Sequence, residues 1–415
     1  MCQAPIISPI RESGEVPILS VRDDSRALQG DLVNLRRRLH REPELGLSLP
    51  RTQEKVLRAL DGLPLEITLG ESTSGVTAVL RGERPGPTVL LRGDMDALPV
   101  TERTGLDFAA ADGRMHACGH DLHTSMLVGA AHLLSARTAR LAGDVVLMFQ
   151  PGEEGYDGAE HMIRDGVLTA SGARPVAAYA LHVASAGQPH GVFRTRRGPF
   201  FSASDTVSVT VRGAGGHGST PHLARDPIPA ACEMVLALQT LVTRGFDIHD
   251  PVVITVGSIH AGNQANVIPD EARFEATVRS YSDEARARVE DAIIRTVAGI
   301  GAAHGLQIVI DYEPGYPVTV NNDAEAEFAA DTVAELHGEE RFSWSDNPLQ
   351  ASEDFSHILH EISGAMITLG ACPPDAAPER APYNHSPLAV FDDAVLADGA
   401  ALYAELALRR LNAVP

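Results

Sequence analysis

Met115-His116-Ala117-Cys118-Gly119-His120-Asp121-Leu122-His123 packs a thiol, three imidazoles and a carboxylate into one short stretch. These are the side chains that hold divalent transition metals. Cys118 and His120 stand two apart, so on a regular helix they would point away from each other. They must lie on the turn just before a helix, where Gly119 allows unusual backbone angles. A turn at the mouth of a parallel sheet is where α/β proteins bind ligands.

Two acid pairs accompany this cluster. Asp94-Met95-Asp96 puts both carboxylates on one face of an extended segment, because alternate residues share a face. One of them could bind metal or orient a ligand histidine from behind. Glu153 and Glu154 are adjacent and point in different directions, so they can take two jobs. One can bind metal while the other takes a proton from a water whose pKa the metal has lowered. Gly152, Gly155 and Gly158 keep that loop open. His182 ends a strand-like run, and His385 sits in a polar loop, Asn384-His385-Ser386-Pro387. Cys118, His120, Glu154, His182 and His385 are too many protein donors for one open tetrahedral site. They imply two metals sharing a ligand or one closed site, and a two-metal hydrolase is the more economical reading. Thiolate and imidazole favour zinc, while the carboxylate leaves manganese, cobalt or nickel open.

The elements that position these residues follow from periodicity. Leu28, Leu32, Leu35 and Leu39 recur at helical spacing over Ser25–His40, and Glu42-Pro43-Glu44 ends that helix. A second helix is expected from about Arg51 to Leu60. Val76–Leu80, Pro87–Asp94, Asp144–Phe149 and Ala177–Val183 read as strands, and the apolar run in the second fits burial on both faces. Asp121–Ser135 reads as a helix with Leu122, Met126 and Ala130 on one stripe. This alternation predicts an α/β domain with a largely parallel central sheet and helices on both faces. After about Arg197 the texture changes: Thr206–Arg212 alternates with period two, as a half-exposed strand does. A helix (Pro227–Arg244), strands at Val252–Ile259 and Ala272–Tyr281, and a helix to about His304 follow. The β-α-β-β-α order predicts an inserted α+β, ferredoxin-like domain at 197–308, dividing the first domain into 1–196 and 309–415. A helix from Asp392 to Arg410 closes the chain, and residues 1–25 read as a polar arm without period.

A chain of 415 residues suggests two domains. The formal charge of -21 argues against nucleic acid or an anionic membrane as partner. There is no long apolar run for a membrane span and no signal-peptide pattern. Cys2, Cys118, Cys232 and Cys372 show no paired spacing, which suits a reduced, cytoplasmic compartment.

The sequence resembles the M20 metallopeptidase and amidohydrolase family, in the branch of aminoacylase, hippurate hydrolase and auxin-conjugate hydrolase. The matching stretches are Leu39-His40-Arg41-Glu42-Pro43-Glu44-Leu45, Arg92 to Pro99, Met115 to His123, Gln150-Pro151-Gly152-Glu153-Glu154-Gly155, Gly216-His217-Gly218-Ser219, Asn266-Val267-Ile268-Pro269, Ser352-Glu353-Asp354-Phe355 and Asn384-His385-Ser386. The resemblance implies a catalytic domain with two divalent metals and an inserted lid that often dimerises. It implies that Cys118 bridges the metals, that His120 and His182 complete one site, and that Glu154 and His385 complete the other. Glu153 would be the general base. The wider family has a histidine ligand where this chain has Asp94, so Asp94 is not carried over as a ligand, and Asp96 is expected to act from behind the ligands. His217 resembles the lid histidine that reaches the partner subunit's site and steadies the oxyanion. Asn266 and Arg279 resemble lid residues that contact substrate, Arg279 suiting a carboxylate.

The expected reaction is hydrolysis of the amide bond of a small-molecule N-acyl amino acid by a metal-activated water, in a homodimer or higher oligomer joined through the lid. A dipeptidase or carboxypeptidase would use the same chemistry. A metal-binding sensor with a closed, inert site is the reading from another class; Glu153, surplus to metal binding, argues against it.

Overall fold

The computed structural model describes residues 20–413. Most of the expected N-terminal arm, Cys2 and the region read for a signal peptide lie outside the described residues. The first helix, α1 (Val21–Arg41), begins before the leucine spacing does, because Ser20 caps it by accepting from the Asp23 N–H at 3.2 Å. Asp23 and Asp24 in the first turn suit the positive end of the helix dipole. Leu28, Leu32, Leu35 and Leu39 are all buried. The next helix, α2 (Pro50–Ala59), has no side-chain cap of its own. Buried Glu44 serves instead, accepting from the Thr52 N–H at 2.8 Å and the Thr52 hydroxyl at 3.0 Å.

The chain divides into two compact units. One runs to Gly198 and resumes at Val320–Asn347 and from His357 on; the other comprises Pro199–Thr319 and Pro348–Ser356.

The larger unit is built on an eight-stranded sheet. Its centre is parallel: β3 (Arg84–Asp94) lies between β4 (Ala142–Gln150) and β5 (Ala177–Ala184), and β5 pairs with Gly364–Gly370. Antiparallel pairings enter toward both flanks, although the last strand at one edge, Phe342–Trp344, is parallel to its neighbour Phe193–Thr195. The strands β1 (Leu65–Leu69) and β2 (Val76–Leu80) form a hairpin, and β2 runs antiparallel to β4. Gly364–Gly370 runs antiparallel to β6 (Phe193–Thr195). The sheet is therefore mixed, with the expected parallel pairings at its centre and antiparallel ones added outside them. The sequence reading missed β1, and the short segment 70–75 allows only an antiparallel return, since parallel neighbours need a long crossover. Helix α3 (His120–Ser135) is buried from His120 to Leu134 on every side, wedged among β3, α1 and the C-terminal helix Leu396–Asn412. That last helix starts later than expected because Asp392 first caps a 3-10 turn at Asp393–Val395. In register, Asp94 stands beside Gln150 and Arg92 beside Ala180, so the carboxyl ends of the three central strands open at one edge. No helix among the described residues is long and apolar enough to cross a membrane.

The smaller unit is a four-stranded antiparallel sheet in the order Val253–Ala261, Glu271–Ser280, Ala203–Arg212, Gln307–Pro314. In Ala203–Arg212 every second side chain is buried, matching the period-two pattern. Helices Pro227–Gly245 and Asp283–Ala303 share the hydrophobic cluster that these inward residues form.

Candidate metal centre

Gly119 sets the geometry. Its φ of 85° lies in the left-handed region, and a Cβ there would meet Val183 Cγ2 at 2.3 Å. Only glycine fits. It ends the turn that carries Cys118 and leaves His120 as the first residue of α3. The Cys118 sulfur lies 3.4 Å from His182 Nε2. The His182 Nδ1–H donates to Val183 O at 2.9 Å, so Nε2 carries the lone pair that faces the sulfur. His385 comes from the far loop with its Nε2 3.3 Å from Glu154 Oε1.

Among the groups of side chains close enough to hold a metal ion, two contain Cys118. Cys118, His120 and His182 each place a ligand atom within 4.8 Å of the others, and so do Cys118, Glu154 and His385. Cys118 is common to both. The residues fit divalent metal on one further ground. Both ring nitrogens of buried His120 lack a hydrogen bond, although Asp96 Oδ1 and Asp94 Oδ2 lie 3.4 and 3.6 Å away. A buried imidazole without partners is costly unless something else satisfies it.

The electrostatics agree with a ligand set rather than a packed core. Burial resists ionisation of the Cys118 thiol, but His182, His120 and His385 hold it well below the usual thiol range. Burial pushes the Glu154 carboxyl up, and the Cys118 sulfur adds to this. His385 is pushed up to about 10 by hydrogen bonding to Cys118 and Glu154.

The surrounding residues hold this set in place. Asp96 is fully buried and accepts the Glu153 N–H on Oδ1 and the Glu154 N–H on Oδ2, both at 3.0 Å. It thus grips the loop after β4 by both of its acids. Glu153 Oε2 and Glu154 Oε1 each lie 4.0 Å from His120 Nε2. Asp94 does not face the cluster freely. Burial resists its ionisation, yet Arg92, His120 and His123 hold its carboxyl well below the usual range, with Arg92 at 2.7 Å and His123 at 2.6 Å.

His123, Arg92 and Asn384 were not singled out from sequence. His123 gives its Nδ1–H to Asp94 Oδ1, and its Nε2 accepts the Val183 N–H at 2.8 Å. With both nitrogens used, His123 ties α3 to β3 and β5 and has no lone pair to offer. No sequence signal separates it from His120. The first stretch, around His40, also acts at a distance. Fully buried Arg36 donates to Asp121 at 2.7 Å and Asp393 at 2.9 Å, and His40 bridges Asp121 and Glu102. This network anchors the start of α3.

In the smaller unit, Gly216–His217 pairs with Val267–Ile268, and the Gly218 N–H donates to Asn266 O at 2.8 Å. His217 and Asn266 are thus neighbours, and both are exposed. The His217 Nδ1 accepts from the Ser219 N–H at 3.1 Å and lies 2.8 Å from its hydroxyl. Its proton therefore sits on Nε2. Arg279 lies on a different strand, opposite Val253 and Ser204, half-buried and donating to Ser352 Oγ at 3.1 Å.

Comparison with known proteins gives this geometry its class. The description of peptidase family M20/M25/M40 matches residues 90–409. Thermostable carboxypeptidase 1 of Saccharolobus solfataricus is 35% identical over 94% of this chain and 98% of its own length. The hippurate hydrolase of Campylobacter jejuni is 36% identical over 93% of this chain and 98% of its own. Among solved structures, the Bacillus subtilis YXEP protein, called a dinuclear metal-binding peptidase of the M20 family, is 31% identical. It covers 94% of this chain and 100% of its own, with a TM-score of 0.79. The chain belongs to this family. It is a metal-dependent hydrolase acting on amide bonds, and the donor clusters and the dinuclear relative together support divalent metals as its cofactors.

Proposed function

We propose that this protein hydrolyses the amide bond of N-acyl amino acids at a two-metal centre. The observation that carries the reading is Cys118 standing in two donor sets; Glu153, which also lies within ligand range of His120 and Glu154, is read as the base. His120 and His182 would complete one set and Glu154 and His385 the other. Thiolate and imidazole favour zinc, with manganese next and cobalt or nickel possible. When bound, such metals lower the pKa of water and polarise the acyl oxygen. Glu153 takes the proton from the attacking water and returns it to the leaving nitrogen. Asp96 holds Glu153 at the angle this needs. His217, with its proton fixed on the exposed Nε2, steadies the oxyanion in a second subunit's site. Asn266 contacts substrate beside it, and Arg279 binds the free carboxylate. The smaller unit, in place of the 197–308 expected from sequence, is read as lid and dimer contact, and the free thiols suit a cytoplasmic enzyme.

The similarity to a carboxypeptidase supports a second reading, cleavage of dipeptides or C-terminal residues by the same groups. Activity on N-acetyl, N-benzoyl and aminoacyl substrates, before and after chelation, separates the two. Glu153→Gln should keep metal and fold and lower turnover by roughly 10²–10⁴-fold. Near-normal turnover in that variant removes Glu153 from the mechanism.

A further inference from the structure

We propose that Asn384 is a positioning residue of the metal centre, orienting the Cys118 sulfur and holding the loop that presents His385. The inference rests on the two-set reading above. Asn384 is half-buried, and its side-chain amide is fully engaged. Its Oδ1 accepts from the Ser185 N–H and the Ser185 hydroxyl, both at 3.0 Å. Its Nδ2 donates to Val183 O at 3.0 Å, and reaches Cys118 O at 3.4 Å and Cys118 Sγ at 3.7 Å. The orientation is unambiguous. The Ser185 N–H can only donate and the Val183 carbonyl can only accept, so a flipped amide would oppose like with like on both sides. One amide hydrogen serves Val183 O, and the other is shared between the carbonyl and the sulfur of Cys118.

Each of the Nδ2 contacts lands on a donor or on the backbone of or beside one. Val183 O also receives the His182 Nδ1–H at 2.9 Å, so Asn384 braces the carbonyl that fixes the His182 tautomer. Cys118 is the donor common to both sets. His385 is the next residue, and its φ of 72° is one of only two left-handed values at non-glycine positions among the described residues. Such a conformation persists only where neighbours impose it, and it gathers at functional sites. Two consecutive contacts impose it here: the Asn384 amide, and the His385 N–H donating to Ala117 O at 2.8 Å. The His385 side chain is 55% exposed, so packing does little to place it. An N–H directed at a thiolate also withdraws electron density from sulfur, which tunes a bound metal as well as positioning it.

The test uses cobalt(II) added to the metal-free full chain, with wild type, Asn384→Ala and Asn384→Asp compared. Cobalt bound per chain, the affinity of each step and the near-ultraviolet thiolate-to-cobalt absorption are read together. Asn384→Ala should weaken one binding step by roughly 10–100-fold and move the absorption to longer wavelength. Asn384→Asp keeps the shape and the acceptor for Ser185 but has no N–H, so its absorption should move the same way. It also carries the test if Asn384→Ala fails to fold. Variants that bind cobalt with wild-type affinity and unshifted absorption overturn the proposal. Lower thermal stability with an unshifted absorption does so too, since it marks a merely structural staple. Wild type that takes up no cobalt sinks the two-set reading itself, and the inference with it.

Discussion

Asp96→Asn isolates the part of the site that positions without reacting. The substitution keeps the side chain's size and shape. Its two oxygens now accept the Glu153 and Glu154 N–H groups, each at 3.0 Å. The asparagine keeps one acceptor and turns an amide N–H₂ toward the other backbone N–H. That removes one charge-assisted hydrogen bond, about 1.5–3 kcal/mol, and strands a buried donor at about 1–3 kcal/mol. The sum is about 2.5–6 kcal/mol. The glycine-flanked loop can relax rather than bear all of it, so global stability should fall by less than the sum, with the rest appearing as displacement of Glu153. If about 3 kcal/mol comes out of Glu153 alignment, turnover falls about 10²-fold at 1.36 kcal/mol per decade. Steady-state hydrolysis of an N-acyl amino acid at saturating metal should show this in kcat, with KM changed only a few-fold. Urea unfolding of the metal-free variant gives the stability arm. A kcat within threefold of wild type, with unfolding unaltered, would mean the two bonds carry nothing. Complete loss of metal uptake would instead make Asp96 a ligand.

Arg36→Met should cost about 3–5 kcal/mol in denaturant unfolding, because it leaves the Asp121 and Asp393 carboxylates without their shared cation; a loss under about 1 kcal/mol refutes the network's role. His337 stacks on Phe193 at 5.2 Å between ring centroids, and burial holds its pKa down to about 4. Because the folded value is lower than the unfolded value of about 6.5, its contribution is fully present above about 6.5. It is lost as pH falls toward about 4, a difference of about 3 kcal/mol. His337→Phe should therefore flatten the pH dependence of stability over that window relative to wild type, and parallel curves for the two proteins would contradict this. Arg279→Met should raise KM by roughly 10–100-fold for an N-acyl amino acid and little for its carboxamide; equal effects on both would show that Arg279 does not read the carboxylate.

What the sequence determined is the inventory. Cys118, His120, Glu153, Glu154 and His182 were legible as candidates, because each stands at the end of an apolar strand run or on the glycine turn before α3, whereas His385 sits in a polar loop and was marked only by the family resemblance. Period and turn chemistry are local, so α1, α3 and the central strands could be read with errors only at their ends. Tertiary structure decided how these groups are used. His120 and His123 stand on the same turn of one helix and are indistinguishable in sequence, yet Asp94 and the Val183 N–H occupy both nitrogens of His123 and neither of His120. Asp96 read as a site acid, but only the register of β3 beside β4 brings it under the Glu153 and Glu154 amides. The antiparallel pairings of the sheet were hidden for the same reason, since strand neighbours are chosen by connections and packing that no local pattern encodes. Asn384 is the extreme case. It lies 266 residues from Cys118 in the chain, and only chain closure places its amide against that sulfur.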